Sequence, residues 1–204
     1  QTMTGVCDSA NNNSIFGYSA GAAITSGDHN TAIGHSALLA GNTAAANTVV
    51  GYLAADAMTD ADNCVAIGSN AMGAAISATR STAVGAYAMS SGQVAAAAYA
   101  TAVGFAALDS QVDGVGNVGV GYYAAANIDD GDYNTAVGAY SSYLQEDGDF
   151  NTAIGYQASY TYEGAANQGN NTAVGYKALY SNATSEHNTA VGALCCEDLT
   201  GTGN

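Results

Sequence analysis

Pairs of aspartates separated by a single residue are the first residues of this 204-residue chain whose spacing suggests chemistry. Asp130 and Asp132 recur 17 residues later as Asp147 and Asp149. If segments of that length stack on one another, the four carboxylates lie within about 5–7 Å. Calcium takes several oxygen ligands in flexible geometry, so these residues are a candidate calcium site. The alternative is an acidic edge that stays in water and keeps copies of the protein apart.

Four cysteines, Cys7, Cys64, Cys195 and Cys196, offer disulfide chemistry. In a stack of 17-residue segments, Cys7 lies about 50 Å from Cys195 and Cys196, which excludes a bond within one copy. Copies stacked end to end would bring Cys7 of one beside Cys195 or Cys196 of the other, so we expect an intersubunit disulfide there. The alternative is that all four are small buried hydrophobic residues. Cys64 has no evident partner.

Catalytic chemistry finds no support in the sequence. The only imidazoles are His29, His35 and His187, and no Ser–His–Asp or Cys–His set converges on them. No glycine-rich phosphate loop opens a helix. We expect a protein that is not an enzyme and requires no cofactor, with calcium as the one candidate ligand.

Three Asn-x-Ser/Thr sequons, beginning at Asn12, Asn170 and Asn182, are candidate glycosylation sites. They depend on passage of the chain through a glycosylating pathway.

A repeat of 17 residues runs along the whole chain and must position these residues. Its core is Asn-Thr-Ala-(Ile/Val)-Gly, and the intervals between successive motif glycines are 17 residues apart from one of 19 and one of 20. The motif glycines are Gly17, Gly34, Gly51, Gly68, Gly85, Gly104, Gly121, Gly138, Gly155, Gly175 and Gly192. A pair of helices needs about 33 residues, so a unit this short predicts one coil of a β-solenoid.

The fold predicted is all-β, a parallel β-solenoid (β-roll) of about 12 coils that forms a single domain over residues 1–204. Each coil is expected to hold two short strands and two turns, and no capping repeat is recognisable. The branched residue before the glycine and the Thr two positions earlier share one face of a strand. We expect that face to turn inward, with Ala on the opposite face.

An asparagine stands four residues before most of the motif glycines. Stacked amide side chains hydrogen-bond from layer to layer in stacked sheets, so this column predicts a structural ladder without a chemical role. Its members are Asn13, Asn30, Asn47, Asn117, Asn134, Asn151, Asn171 and Asn188.

An aromatic residue often follows the glycine. Rings at coil spacing are expected to support the sheet, whereas a column that faces solvent could bind sugars or another subunit. The aromatic column contains Tyr18, Tyr52, Phe105, Tyr122, Tyr156 and Tyr176.

The charge balance limits the partners. The formal net charge is −15, and Arg80 and Lys177 are the only basic residues apart from histidine. No basic patch can neutralise phosphates, so nucleic acid is not expected as a partner. No run approaches about 18 consecutive apolar residues, so membrane insertion is not expected.

The repeats that begin at Asn151 (Asn-Thr-Ala-Ile-Gly-Tyr-Gln-Ala) and Asn171 (Asn-Thr-Ala-Val-Gly-Tyr-Lys-Ala-Leu) resemble those of two families. One is the head domain of trimeric autotransporter adhesins, and the other is the repeat-rich region of phage tail fibres. The resemblance covers essentially the whole chain and implies a parallel β-roll. It also implies a trimeric segment that binds a glycan or receptor on a host surface.

The repeat itself favours a filament. Open strand edges are templates for pairing, and an end-to-end contact that does not close produces a fibre. We therefore expect a structural subunit of an extracellular filament, located outside the cell or on a cell or virion surface, that self-assembles by stacking of open solenoid ends. The adhesin-head or tail-fibre segment is the alternative. A third interpretation, ice binding by a Thr column, requires that column to face outward.

Overall fold

One parallel sheet runs through the described part of the chain, from Ser14 to Val191. The computed structural model describes residues 11–91, 98–144, 148–160, 169–182 and 186–199. The sheet contains eleven strands in sequence order. They are β1 (Ser14–Phe16), β2 (Thr31–Ile33), β3 (Thr48–Val50), β4 (Val65–Ile67), β5 (Thr82–Val84), β6 (Thr101–Val103), β7 (Val118–Val120), β8 (Thr135–Val137), β9 (Thr152–Ile154), β10 (Thr172–Val174) and β12 (Thr189–Val191). Two further short strands, β11 (Ser181–Asn182) and β13 (Asp198–Leu199), pair with each other in parallel.

The predicted all-β parallel solenoid with a 17-residue repeat is confirmed. Equivalent positions of neighbouring coils pair without a shift in register, as Thr135 does with Thr152. Two details differ from expectation. Within the described residues most coils contribute one three-residue strand instead of two, and the sheet has eleven strands where about 12 coils were expected. Bends and turns, stacked in register, form the rest of the coil.

The strand face predicted to turn inward turns outward. In β6 and β8 the central Ala is fully buried, while Thr101, Val103 and Val137 reach solvent. The reason is parity along the strand. The buried asparagine two residues before the central Ala points to the same side as that Ala, so the Thr between them must point away from the core.

In several of the described coils, two compensating positions that lie four and seven residues after the motif glycine fill the thin core. In one coil Leu38 is followed by Gly41, and a Cβ on Gly41 would lie 2.7 Å from Leu38 Cγ. The next coil reverses the order, with Ala55 followed by Met58, and both side chains are fully buried. Because each of these two coils holds one large and one small residue here, few large aliphatic residues are needed to fill the core of a coil.

Left-handed backbone shapes the turns, and stacking holds it in place. Tyr123 and Ala125 have φ values of 52° and 51°. The Tyr123 N–H donates to the Phe105 carbonyl of the preceding coil at 2.9 Å, and the Ala125 N–H donates to the Ser141 carbonyl of the following coil at 2.8 Å. A non-glycine residue in this region costs roughly 1–2 kcal/mol, and bonds to both neighbouring coils offset that cost.

Candidate functional surfaces

The asparagine column is a buried ladder. Asn30 Oδ1 accepts the backbone N–H of Asn47 at 3.0 Å, and Asn47 Nδ2 donates to the carbonyl of Ala61 at 2.8 Å. The same pattern joins Asn117, Asn134 and Asn151. It continues to Asn171 and Asn188. These side chains satisfy backbone groups inside the coil, and none is presented to a ligand.

At three successive positions in the middle of the ladder, Cys64, Ser81 and Ala100 stand in place of asparagine. Cys64 takes one position, and its thiol donates to the Ala78 carbonyl at 2.9 Å, as the amide of Asn47 does to Ala61. Ser81 takes the next, and its hydroxyl accepts the N–H of Ala100 at 3.1 Å. Burial raises the pKa of the Cys64 thiol. The sequence analysis assigned no partner to Cys64. Its position four residues before Gly68, in the asparagine column, is the signal that predicts this structural role.

Two of the four aspartates proposed as calcium ligands, Asp132 and Asp149, hold backbone groups. Asp132 Oδ1 accepts the N–H of Val115 at 2.7 Å, and Asp149 Oδ1 accepts the N–H of Asp132 at 2.8 Å. Asp130 is exposed, and Asp147 lies outside the described residues. Within the parts of the chain that the structure describes, no group of three or more potential ligands is arranged to hold a metal ion. The calcium site stays a prediction that also depends on Asp147.

The cysteines at the end of the chain are accessible. Cys195 is half-buried and Cys196 exposed, with their sulfurs 3.8 Å apart, and both are free thiols. A hydrogen bond with Cys195 is the first cause of the raised pKa of Cys196. Cys7 lies outside the described residues, so the intersubunit disulfide stays a prediction.

Two of the three sequons are exposed. The Asn12 and Asn170 side chains reach solvent, and the Asn12 amide lies 3.3 Å from His29 Nε2. The side chain of Asn182 lies outside the described part. Glycosylation at these positions stays a prediction.

The aromatic column faces solvent. Tyr122, Tyr156 and Tyr176 are each nearly half exposed, and neighbouring rings form a continuous surface that we call the aromatic ridge. Its rings are Tyr87, Phe105, Tyr122, Tyr123, Tyr140, Tyr143, Tyr156, Tyr160, Tyr176 and Tyr180. Desolvation raises the pKa of Tyr123, Tyr140 and Tyr160, so these phenols stay neutral well above neutral pH.

A cleft of about 260 Å³ opens at one end of the aromatic ridge, lined by Tyr87, Phe105, Ala106, Asp109 and Tyr123. Phe105 meets Tyr87 and Tyr123 edge to face, at interplanar angles of 65° and 67°. At the other end the rings of Tyr160 and Tyr180 stack at 6° and cover each other. The cleft therefore combines aromatic rings with a carboxylate, and two of its rings, Phe105 and Tyr123, also stack on Tyr122 and Tyr140.

A second exposed surface lies on the strands themselves. Residues one and three before each motif glycine point outward in two parallel columns, which we call the Thr–Val face. The first column is Ser14, Thr31, Thr48, Val65, Thr82, Thr101, Val118, Thr135, Thr152, Thr172 and Thr189. The second is Phe16, Ile33, Val50, Ile67, Val84, Val103, Val120, Val137, Ile154, Val174 and Val191. Neither column contains a charged residue, although the chain carries 17 acidic ones.

The edge of the last sheet strand, β12, is open within the described residues. A Cβ on Gly175 would lie 2.4 Å from the carbonyl oxygen of Gly192 in the next coil. Among the residues that the structure describes, a Cβ on Gly192 would meet only Cys195 Cβ, at 4.0 Å. Val191 is 67% exposed for the same reason.

The chain has no match among family models, curated proteins or solved structures. None of the described residues belongs to a helix long and apolar enough to cross a membrane.

Proposed function

We propose that the protein is the structural subunit of an extracellular filament built by head-to-tail stacking of the solenoid. The observation that carries this proposal is the state of the last described sheet strand. Gly192 keeps a φ of 129°, close to the 138° of Gly175, although no described residue stacks on it. The last described coil therefore has the glycine conformation with which an interior coil accepts its neighbour, which supports the proposal.

The repeat supplies the complementary edge at the other end of the described sheet. In neighbouring coils the first strand residue donates its N–H to the carbonyl four residues before the next motif glycine, as Thr172 does to Asn188 at 2.8 Å. We propose the same register between copies, in which Thr189 of one copy donates to Asn13 of the next and Gly192 packs against Gly17. The repeat spacing gives residues 1–12 of the second copy the same positions as residues 193–204 of the first, so this register requires one of the two segments to be displaced on assembly. Such a contact between two different ends does not close on itself and produces a filament.

Electron microscopy of the purified protein at high concentration tests the proposal. We expect unbranched fibres with an axial spacing of about 4.8 Å between strands. In Gly192→Ala a methyl group occupies the space reserved for the next copy's carbonyl, so we expect fibres to be lost. Backbone strain at the φ of 129° lowers the melting temperature of the single subunit, while its circular dichroism stays that of the folded solenoid.

Val191→Ala is the matched control, because its side chain points outward and does not lie between stacked coils. We expect it to polymerise normally. If wild-type protein forms only compact monomers or closed trimers at high concentration, the filament proposal is overturned.

A second candidate function, a surface-binding module of the adhesin-head or tail-fibre kind, is favoured by the outward aromatic ridge and its cleft. This function predicts a discrete trimer by mass photometry and binding of a host glycan or receptor. Asp109→Asn combined with Tyr87→Ala removes the carboxylate and one ring of the cleft, and we expect it to weaken that binding at least tenfold. Unchanged binding, or a polymer in place of the trimer, would contradict this candidate.

A further inference from the structure

The Thr–Val face presents hydroxyl and methyl groups in a regular two-dimensional array. Neighbouring strands pair in direct register, as Thr82 with Thr101 and Val84 with Val103. The step from strand to strand is about 4.8 Å, and the step between the two columns along a strand is about 6.6 Å. Eleven strands repeat this spacing along one sheet, and nine of them carry a Thr or Ser in the first column.

The hydroxyl groups of this array are available to water. Within the described residues, no hydrogen bond to protein is found for the hydroxyl of any Thr in the column. Most of these side chains are half-buried against their neighbours, as in β8 and β9. Branching at Cβ restricts their rotamers, so the array is both wettable and rigid.

We propose that the Thr–Val face binds ice. A ligand that engages every strand at once must repeat at the same intervals, and the oxygen–oxygen repeats on the prism face of hexagonal ice are close to both steps of the array. Threonine hydroxyls take places in an ordered water layer, and protein–water bonds of this kind are nearly as favourable as direct ones. The methyl groups fill the spaces between these waters.

Two observations favour ice over a second copy of the chain as the occupant. A dry contact would bury eight threonine hydroxyls without guaranteed partners, and each unpaired hydroxyl is costly to desolvate. The acidic residues, which an ice lattice would exclude, are absent from both columns. The face serves single subunits and filaments alike, so the proposal does not depend on the filament, and stacking would only lengthen the array.

Growth of single ice crystals in a nanolitre osmometer tests the proposal with purified protein. We expect faceted crystals and a measurable gap between melting and freezing temperatures for wild type. Thr135→Tyr places a bulky ring in the centre of the face without entering the core, and we expect it to reduce the gap at least twofold.

Thr43→Tyr is the matched control, because Thr43 is exposed on another part of the coil. We expect it to retain the wild-type gap, and circular dichroism confirms the fold of both variants. Measurement on Gly192→Ala separates ice binding from filament formation. Rounded crystals and no gap with wild type would overturn the proposal. So would an equal loss in both tyrosine variants, or a change of Thr135→Tyr in oligomeric state alone, which would identify the face as an interface.

Discussion

An interior coil and the last described coil have the same backbone but different neighbours. Val174 is half-buried between two strands, whereas Val191 is 67% exposed, yet the glycines that follow them have φ values of 138° and 129°. The last described coil therefore keeps the interior backbone with one described neighbour. If copies stack as proposed, changes in the interior should affect folding, whereas changes at the last described coil should affect assembly.

The largest effect is expected where two coils approach most closely. A Cβ on Gly121 would lie 2.6 Å from the carbonyl oxygen of Gly138, and its φ of 141° disfavours any side chain. Strain of about 1–3 kcal/mol adds to that overlap, so we expect Gly121→Val to lower the stability by more than about 3 kcal/mol. Urea titration measures it.

The matched change at the end is Gly192→Val, which meets strain but no neighbouring coil. We expect a loss below about 3 kcal/mol from strain alone. Equal losses at the two glycines would show that φ, and not stacking, selects glycine in this column.

The second effect concerns the core. Ile128 is fully buried and pairs in size with Ala125, whereas Ile15 in the first described strand is only half-buried. Truncation of a buried isoleucine to alanine costs about 2–5 kcal/mol. We expect the loss of stability in Ile128→Ala to lie in that range and the loss in Ile15→Ala to lie below it, as measured by thermal unfolding. A larger loss at Ile15 would mean that the first described coil is packed as tightly as the interior.

Sequence reasoning recovers the solenoid but reverses one face, and the cause is specific. Glycines at 17-residue intervals identify the coil because only glycine permits the close approach at Gly121. The apolar character of Ala and Val cannot tell which of them is inside. Asn134, Ala136 and Thr135 together could have done so, since a buried amide fixes the parity of the strand. The large core residues escaped notice because Leu38 and Met58 occupy different positions in successive coils.

The third effect concerns the asparagine ladder. Asn134 is buried, and its side chain accepts from Asn151 and donates to Gly148 at 2.6 Å. Asn13 makes the equivalent bonds to Asn30 and Gly27 but is half-buried. A buried polar group left without its hydrogen-bond partner costs about 1–3 kcal/mol. The stability of Asn134→Ala should therefore fall by that amount or more. Water can replace the amide at Asn13, and we expect Asn13→Ala to lose less than about 1 kcal/mol. Similar losses of stability in chemical denaturation would show that water is excluded from the ladder equally at Asn13 and Asn134.

The smallest effect on the subunit, and a direct test of stacked ends, is the proposed disulfide. Fibres oxidised in air should give dimer and higher bands on non-reducing gels, and Cys7→Ser should remove them while Cys64→Ser, in the buried ladder, should not. The thiolate is the reactive species, and the pKa of Cys196 is raised through its hydrogen bond with Cys195. Little thiolate is therefore present at neutral pH, and cross-linking should accelerate as the pH rises through the alkaline range. Monomer bands at every pH would show that the stacked ends, if they meet, do not bring these sulfurs together.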